Sequence, residues 1–440
     1  MTVETTRLSN GITVATQRFG HVESVALGVW IKAGSRNELE DEHGVAHLLE
    51  HMAFKGTVRR DARTIAEEIE NVGGEINAAT SVETTSYFVR VLKDDVPLAL
   101  DLLSDILQNS KFDEDELERE KHVILQELGA ANDTPDDAVF DRFTEAAFRH
   151  QPIGRAILGT RDTIQSFTSD QIRTYIDREY CGERMVIAAT GKIDHDEFVK
   201  LVESYFGSIQ AKPRGKAVSL AHYVGGDYRE HRSLQDTQFL LGFEGRAYHV
   251  RDFYASQVLA MLLGGGMSSR LFQEVREKRG ICYSIYAFHW GFSDTGIFGI
   301  HAATEPGDLD ELVRLVLAEL RRAADDIELV ELDRARAQFR ASLLMSGESA
   351  PSRAGQIARQ ILLFGRPIPN EELLERLEKL TVDRLRDLAG RLFTTSRPTV
   401  SAIGPVDRLM DIDTIRTELT SGAGSDVYGT TQASMRLAVG

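Results

Sequence analysis

Cysteine is scarce in this 440-residue chain, which holds only Cys181 and Cys282. Two thiols build no disulfide framework, and the pair suits a reducing cytoplasm. Nowhere do 18 apolar residues follow one another, so no membrane-spanning helix is expected. The opening "MTVETTRLSNGITVATQRFG" lacks a basic start leading into an apolar core, so no secretory signal is expected there. Positive charge is also short: 51 Lys and Arg against 68 Asp and Glu leave a formal net charge of -17. That balance argues against nucleic acid as a partner. It suits a cationic ligand, and it serves plain solubility equally well. What remains is the makeup of an ordinary globular protein, 42% apolar and 27% charged. The length is comfortable for two domains.

The two halves echo each other at an offset of about 214 residues. "VALGVW" from Val25 answers "FLLGFE" from Phe239, and "AHLLEH" from Ala46 answers "AMLLGG" from Ala260. "FTSDQIRTYIDREY" from Phe167 answers "LTVDRLRDLAGRLF" from Leu380, and "VIAATGKID" from Val186 answers "VSAIGPVD" from Val400. Each half opens on an alternating strand such as "SVALGVWIKAG" and a helix pair. A further strand follows, "TSYFVRVL" or "GIFGIHAAT", and then amphipathic helices such as "VPLALDLLSDIL" and "LDELVRLVLAEL". Strands and helices mix without regular alternation. The fold expected is therefore α+β: two homologous domains, each a mainly antiparallel sheet with helices packed on one face. Lys, Pro and Gly between the halves mark 211–228 as the linker, with domains at 1–210 and 229–440. The tail from 421 reads as loose, although "SMRLAV" has the makings of an edge strand.

The stretch "HGVAHLLEHMAFKGT" carries the chemistry. It reads as a helix with His43, His47 and His51 four residues apart. His47 and His51 share a face, enough to hold one metal ion, while Glu50 borders that face. A carboxylate there reaches water at the metal without ligating it, and H-x-x-E-H is the order of the inverted zincins. A catalytic zinc usually takes a third protein ligand from another element. The helix "DEDELEREKHVILQELGAAN" offers Glu120 and Glu127, two turns apart on one face. His122 lies about 140° around from Glu127, and Glu116 and Glu118 read as solvated surface.

Taken together, "HGVAHLLEHMAFKGT" and "EREKHVILQEL" resemble the pitrilysin-like zinc peptidases, specifically the catalytic subunit type of mitochondrial processing peptidase and its bacterial relatives. The resemblance covers essentially the whole chain. It implies one zinc held by His47, His51 and Glu127, with Glu50 as general base and Glu120 as supporting carboxylate. His43 is no ligand in the family pattern and reads as a surface or helix-start residue. The resemblance also implies that "INAATSVETTSYF" is an edge strand on which substrate main chain pairs at Asn77 and Ala78.

The second half has lost the metal set: Met261, Gly264 and Gly265 stand where His47, Glu50 and His51 stand in the first. It carries "SSRLFQEVREKRGICYSIYAF", whose Arg276 and Tyr283 match the family's pair for holding substrate and stabilising the oxyanion. Both are donors, as an oxyanion requires. The turn "LLGGGMSSRL" is short beside the long glycine-rich loop of the non-catalytic mitochondrial subunit. The resemblance thus implies a homodimeric clamshell, the zinc half of each chain facing the Arg/Tyr half of the other. The expected substrate is an unfolded peptide, and the acidic balance of the chain suits a basic one. The expected location is a bacterial cytoplasm, with the mitochondrial matrix as alternative. Two rivals stand beside the endopeptidase: a structural core-type subunit, and a catalytic subunit needing a separate glycine-rich partner.

Overall fold

The computed structural model describes residues 2–212 and 218–420. Its first sheet holds β1 (Glu4–Arg7), β2 (Thr13–Arg18), β3 (Ser24–Ile31), β4 (Glu75–Thr80), β5 (Thr85–Leu92) and β6 (Met185–Gly191), in spatial order β1-β2-β6-β3-β5-β4. The second holds β7 (Gly226–His231), β8 (Thr237–Glu244), β9 (Cys282–Gly291), β10 (Gly296–Thr304) and β11 (Thr399–Gly404), in order β7-β11-β8-β10-β9. All pairings are antiparallel except β2 with β6 and β7 with β11. With β1 set aside the two orders match strand for strand, as a duplication requires.

Of the helices, α1 (Val45–Ala53), α2 (Val96–Gln108), α3 (Glu114–Asp133) and α4 (Pro135–Ala147) come from the first half of the chain. From the second half come α5 (Phe253–Gly264), α6 (Leu309–Asp325), α7 (Leu329–Glu348), α8 (Ala350–Phe364) and α9 (Val382–Thr395). Alternation along the strands decides which face buries what. In the first sheet Val14, Val25, Leu27, Val29, Ile187 and Ala189 face a core shared with α1 and α2. Their neighbours Ala15, Trp30, Val186 and Ala188 point the other way and pack on Ala354, Ile357, Ala358 and Ile361 of α8. The buried Arg353 on that helix donates to Gln17 Oε1 at 2.6 Å. In the second sheet Phe239, Leu241, Phe243, Val400 and Ala402 face α5, α6 and α9. On the reverse side lies α4. A Cβ on Gly242 would sit 2.4 Å from the Phe143 ring, so only glycine admits that helix so closely.

Helices therefore cover more than the one expected face, and the extra helix of each sheet comes from the other half of the chain. The compact units are accordingly interleaved. One comprises residues 1–132, 150–220 and 342–370, the other 133–149, 221–341 and 371–440. A single cut at 211–228 does not describe them. Amphipathic periodicity shows that a helix buries a face, not which sheet receives it, so the exchange left no mark in the sequence. The latter part of the expected linker is also structured. Tyr223 bonds Gly242 O at 3.1 Å and Thr399 Oγ1 at 2.5 Å, and β7 begins at Gly226. The expected edge strand from Ile76 to Phe88 is a hairpin, β4 turning into β5. The tail from 421, with "SMRLAV", lies outside the described residues. No helix among the described residues is long and apolar enough to cross a membrane.

Candidate metal centre

The approach to α1 is a strap, residues 34–44, tied down by buried charge. Arg36 pairs with Glu83 at 2.6 Å. The Arg178 guanidinium takes both oxygens of Glu42, at 2.8 and 2.5 Å, and also binds Glu179 at 2.9 Å. Asn37 Nδ2 donates to Glu179 Oε2 at 3.0 Å. The expected helix starts later than the histidine spacing suggests. Gly44 sits before it at φ 99, a left-handed conformation that favours glycine. His43 is left outside, bonded at Nε2 to Ala156 O at 2.7 Å. The histidine stripe on the helix thus has two members.

Those two converge with Glu127, and one donor atom from each of the three lies within 4.8 Å of the others. Nε2 of His47 is 3.7 Å from one Glu127 oxygen, and Nε2 of His51 is 3.7 Å from the other. The rings are 4.7 Å apart and tilted by 61°. Burial, with His51 alongside, pushes His47 down to about 4, so it is neutral at neutral pH, as a ligand must be. His51 is oriented from behind: Nδ1 is 3.0 Å from Glu120 Oε2, an acceptor that favours a proton on Nδ1 and turns Nε2 toward Glu127. Burial works to raise the Glu120 pKa, yet bonds from Lys55 (2.6 Å) and His51 hold it below the usual range. His47 Nδ1 is buried with no hydrogen-bond partner among the described residues, so no protein group fixes its tautomer. Two imidazoles and an exposed carboxylate are the donor set that suits zinc, and the residues present fit it.

Glu50 stands on α1, half-buried, one residue before His51. His122 is exposed, away from the donors, as its helical angle requires. Glu116 and Glu118 bind Arg119 and Lys121 along their own helix. Asn77 and Ala78 lie on β4, which is the sheet edge. The Ala78 N–H is already held by Asn77 Oδ1 at 2.8 Å. At the end of that strand, Thr80 Oγ1 donates to Ala46 O of the metal helix at 3.4 Å.

Arg276 and Tyr283 lie in the second unit. Arg276 is on a π-helical turn, Phe272–Glu277, a form that recurs at functional sites. Its guanidinium lies 4.6 Å from the Phe272 ring centre and 5.0 Å from that of Tyr283. Tyr283 occupies a break in the β9–β10 register, between the Cys282–Thr304 and Ser284–Ala303 pairs. A bulge re-aims its residue out of the ladder, and Tyr283 is 84% exposed.

Sequence reasoning missed two residues here. Lys55 follows His51 by four, a spacing that placed it within reach. Glu38 sits in the strap, where no periodic pattern singles it out.

Two repeated α+β units, with H-x-x-E-H on a helix and a distant glutamate brought to it, are the arrangement of an inverted zincin. The chain belongs to peptidase family M16. Residues 13–161 match the profile described as Insulinase (Peptidase family M16), and residues 166–339 match Peptidase M16 inactive domain. An uncharacterized zinc protease of Rickettsia felis is 38% identical over 402 residues, covering 91% of this chain and 97% of its own. A probable mitochondrial-processing peptidase subunit beta of Arabidopsis thaliana is 37% identical over 425 residues, covering 93% of this chain and 80% of that one. Among solved structures, a protease from Helicobacter pylori superposes with a TM-score of 0.84 over 92% of this chain and 99% of its own. At 24% identity that is a likeness of fold.

Proposed function

We propose that the chain is a zinc-dependent endopeptidase cleaving unfolded or presequence-like peptides in a closed chamber formed by two copies. The observation that carries this is the convergence of His47, His51 and Glu127, with Glu50 on the same helix. The chemistry an ion supplies when bound there is Lewis acidity toward water and a peptide carbonyl. Glu50 accepts a proton from water at its carboxylate and returns it to the departing amine. Glu120 holds the proton of His51 on Nδ1, away from the donor atom. Asn77 and Ala78 offer the free edge of β4 to an extended peptide, whose N–H and C=O groups pair without demanding a sequence. Because Asn77 Oδ1 occupies the Ala78 N–H, that side chain swings aside when substrate docks. Arg276 and Tyr283 of the second copy donate to the oxyanion that develops at the attacked carbonyl. In support, Tyr283 is exposed and Arg276 has no carboxylate partner among the described residues. A net charge of -17 favours basic peptides. The two buried free thiols suit a bacterial cytoplasm.

The purified single chain, given a peptide library, tests the reading. It should hold about one zinc per chain, lose cleavage on chelation and regain it with zinc. Glu50→Gln should keep the metal and lose turnover by roughly a hundredfold or more. Full activity in a metal-free preparation would refute the reading. Activity that appears only with a second, glycine-rich chain would make it a dependent catalytic subunit. A chain inert under every condition would make it a structural one.

A further inference from the structure

The start of α1 lacks the cap that a nine-residue helix needs. Its N-cap position is Gly44, which has no side chain to accept the unpaired N–H groups of the first turn. Their acceptor comes from six residues upstream. Glu38 Oε2 receives the Gly44 N–H at 2.9 Å, and Glu38 Oε1 receives the Ala46 N–H, also at 2.9 Å. Glu38 is 3% exposed, so water does not compete for these bonds. Its own segment is held on both sides, by Arg36 to Glu83 and by Glu42 to Arg178. Arg155 Nη1 donates to the carbonyls of Glu38 and Leu39 at 3.2 and 3.1 Å. A rigid strap thus ends in a two-pronged acceptor on the amide beside His47. While both prongs hold, they oppose sliding of the helix and rotation about its axis.

We infer that Glu38 is a positioning residue for the metal centre, fixing the axial and rotational setting of the helix that presents His47, Glu50 and His51. The inference rests on the metal reading of the site. Small errors of ligand placement are expensive in such sites, since the donors must meet one ion together. The ionised carboxylate matters here because it offers two acceptors at once. An amide offers one, and its NH2 meets a backbone N–H donor against donor.

Glu38→Gln, measured at pH 8.5 beside the wild type, tests this. Zinc release to excess chelator should be about tenfold faster, and the visible spectrum of the cobalt-substituted protein should shift or weaken. In a peptide assay kcat should fall about tenfold while KM stays within about twofold. Glu38→Asp, which keeps the charge but shortens the reach, should fall between the two, and it carries the test alone if the glutamine variant does not fold. A general packing role would lower the melting temperature and leave the cobalt spectrum of the folded fraction unchanged. That result, or wild-type release in both variants, overturns the inference while the metal reading stands. A wild-type chain that takes up no zinc or cobalt overturns both.

Discussion

Glu120 gives the sharpest quantitative test, because its two oxygens do separate things. One accepts from His51 Nδ1 at 3.0 Å, the other from Lys55 at 2.6 Å, and the side chain is 6% exposed. Glu120→Gln keeps the volume, but the single amide oxygen serves only one of the two donors. If it serves His51, the NH2 confronts the Lys55 ammonium. Glu120→Ala removes both acceptors and frees the His51 ring to turn. Loss of such an outer partner typically costs ten- to a hundredfold in metal affinity, about 1.4 to 2.7 kcal/mol. The glutamine variant should fall near the lower figure and the alanine variant near the upper. Glu127→Gln, which removes a donor atom itself, should exceed both. Competition with a chromophoric zinc chelator measures all three on one scale, with melting curves to confirm folding. Unchanged affinity in Glu120→Ala would show that the carboxylate does not orient His51. A loss equal to that of Glu127→Gln would show that Glu120 is itself a ligand.

Other outcomes follow from the proposed function and from the structure. Mixing Glu50→Gln chains with chains carrying Arg276→Ala and Tyr283→Phe should rescue cleavage, each parent being about a hundredfold or more impaired; a verified mixed dimer without rescue refutes the cross-chain arrangement. Asp105, fully buried, accepts from Thr57, Arg59, Arg60 and Asn109. Asp105→Asn should therefore cost about 2 to 4 kcal/mol in denaturant unfolding, and a loss below half a kcal/mol would contradict that accounting. Burial pushes Glu38 up to about 8, against the Gly44 and Ala46 N–H groups and Arg155, with the Glu42 carboxylate nearby pushing the same way as burial. A pKa raised in the folded state means that the fold gains protons as it forms. Stability from this group is therefore full below about pH 4.5 and declines as pH rises to about 8. The wild type should lose stability relative to Glu38→Gln across that window, and parallel curves would refute the assignment.

How much of this the sequence revealed differs from residue to residue. His47 and His51 were legible as a pair because they share a helix, where spacing dictates direction; spacing put Glu120 and Glu127 on one face of another helix, and only the family resemblance joined that helix to the first. Whole strands such as Thr85–Leu92 and Gly296–Thr304 were legible from their composition. His43 was misplaced on the helix because the left-handed turn at Gly44 interrupts a pattern that spacing alone continues. Glu38 was invisible, since its bonds depend on how the strap folds back over six residues. The bulge at Tyr283 likewise depends on register against β10, which no local pattern encodes.

The interleaving of the units bears on how the polypeptide is made. A ribosome delivers the chain from its N-terminus, and domains generally fold as units when their last residue emerges. The metal-bearing unit needs residues 342–370, and Trp30, Val186 and Ala188 have no cover until α8 arrives. Through much of translation the histidines already exist on a helix beside a sheet whose other apolar face is still uncovered. The nascent chain is thus held back from a finished metal-bearing unit, and exposed to aggregation, until more than four-fifths of its length has been synthesised. Severing the chain between the halves would strand α4 with one fragment and α8 with the other, so neither half is a self-sufficient protein.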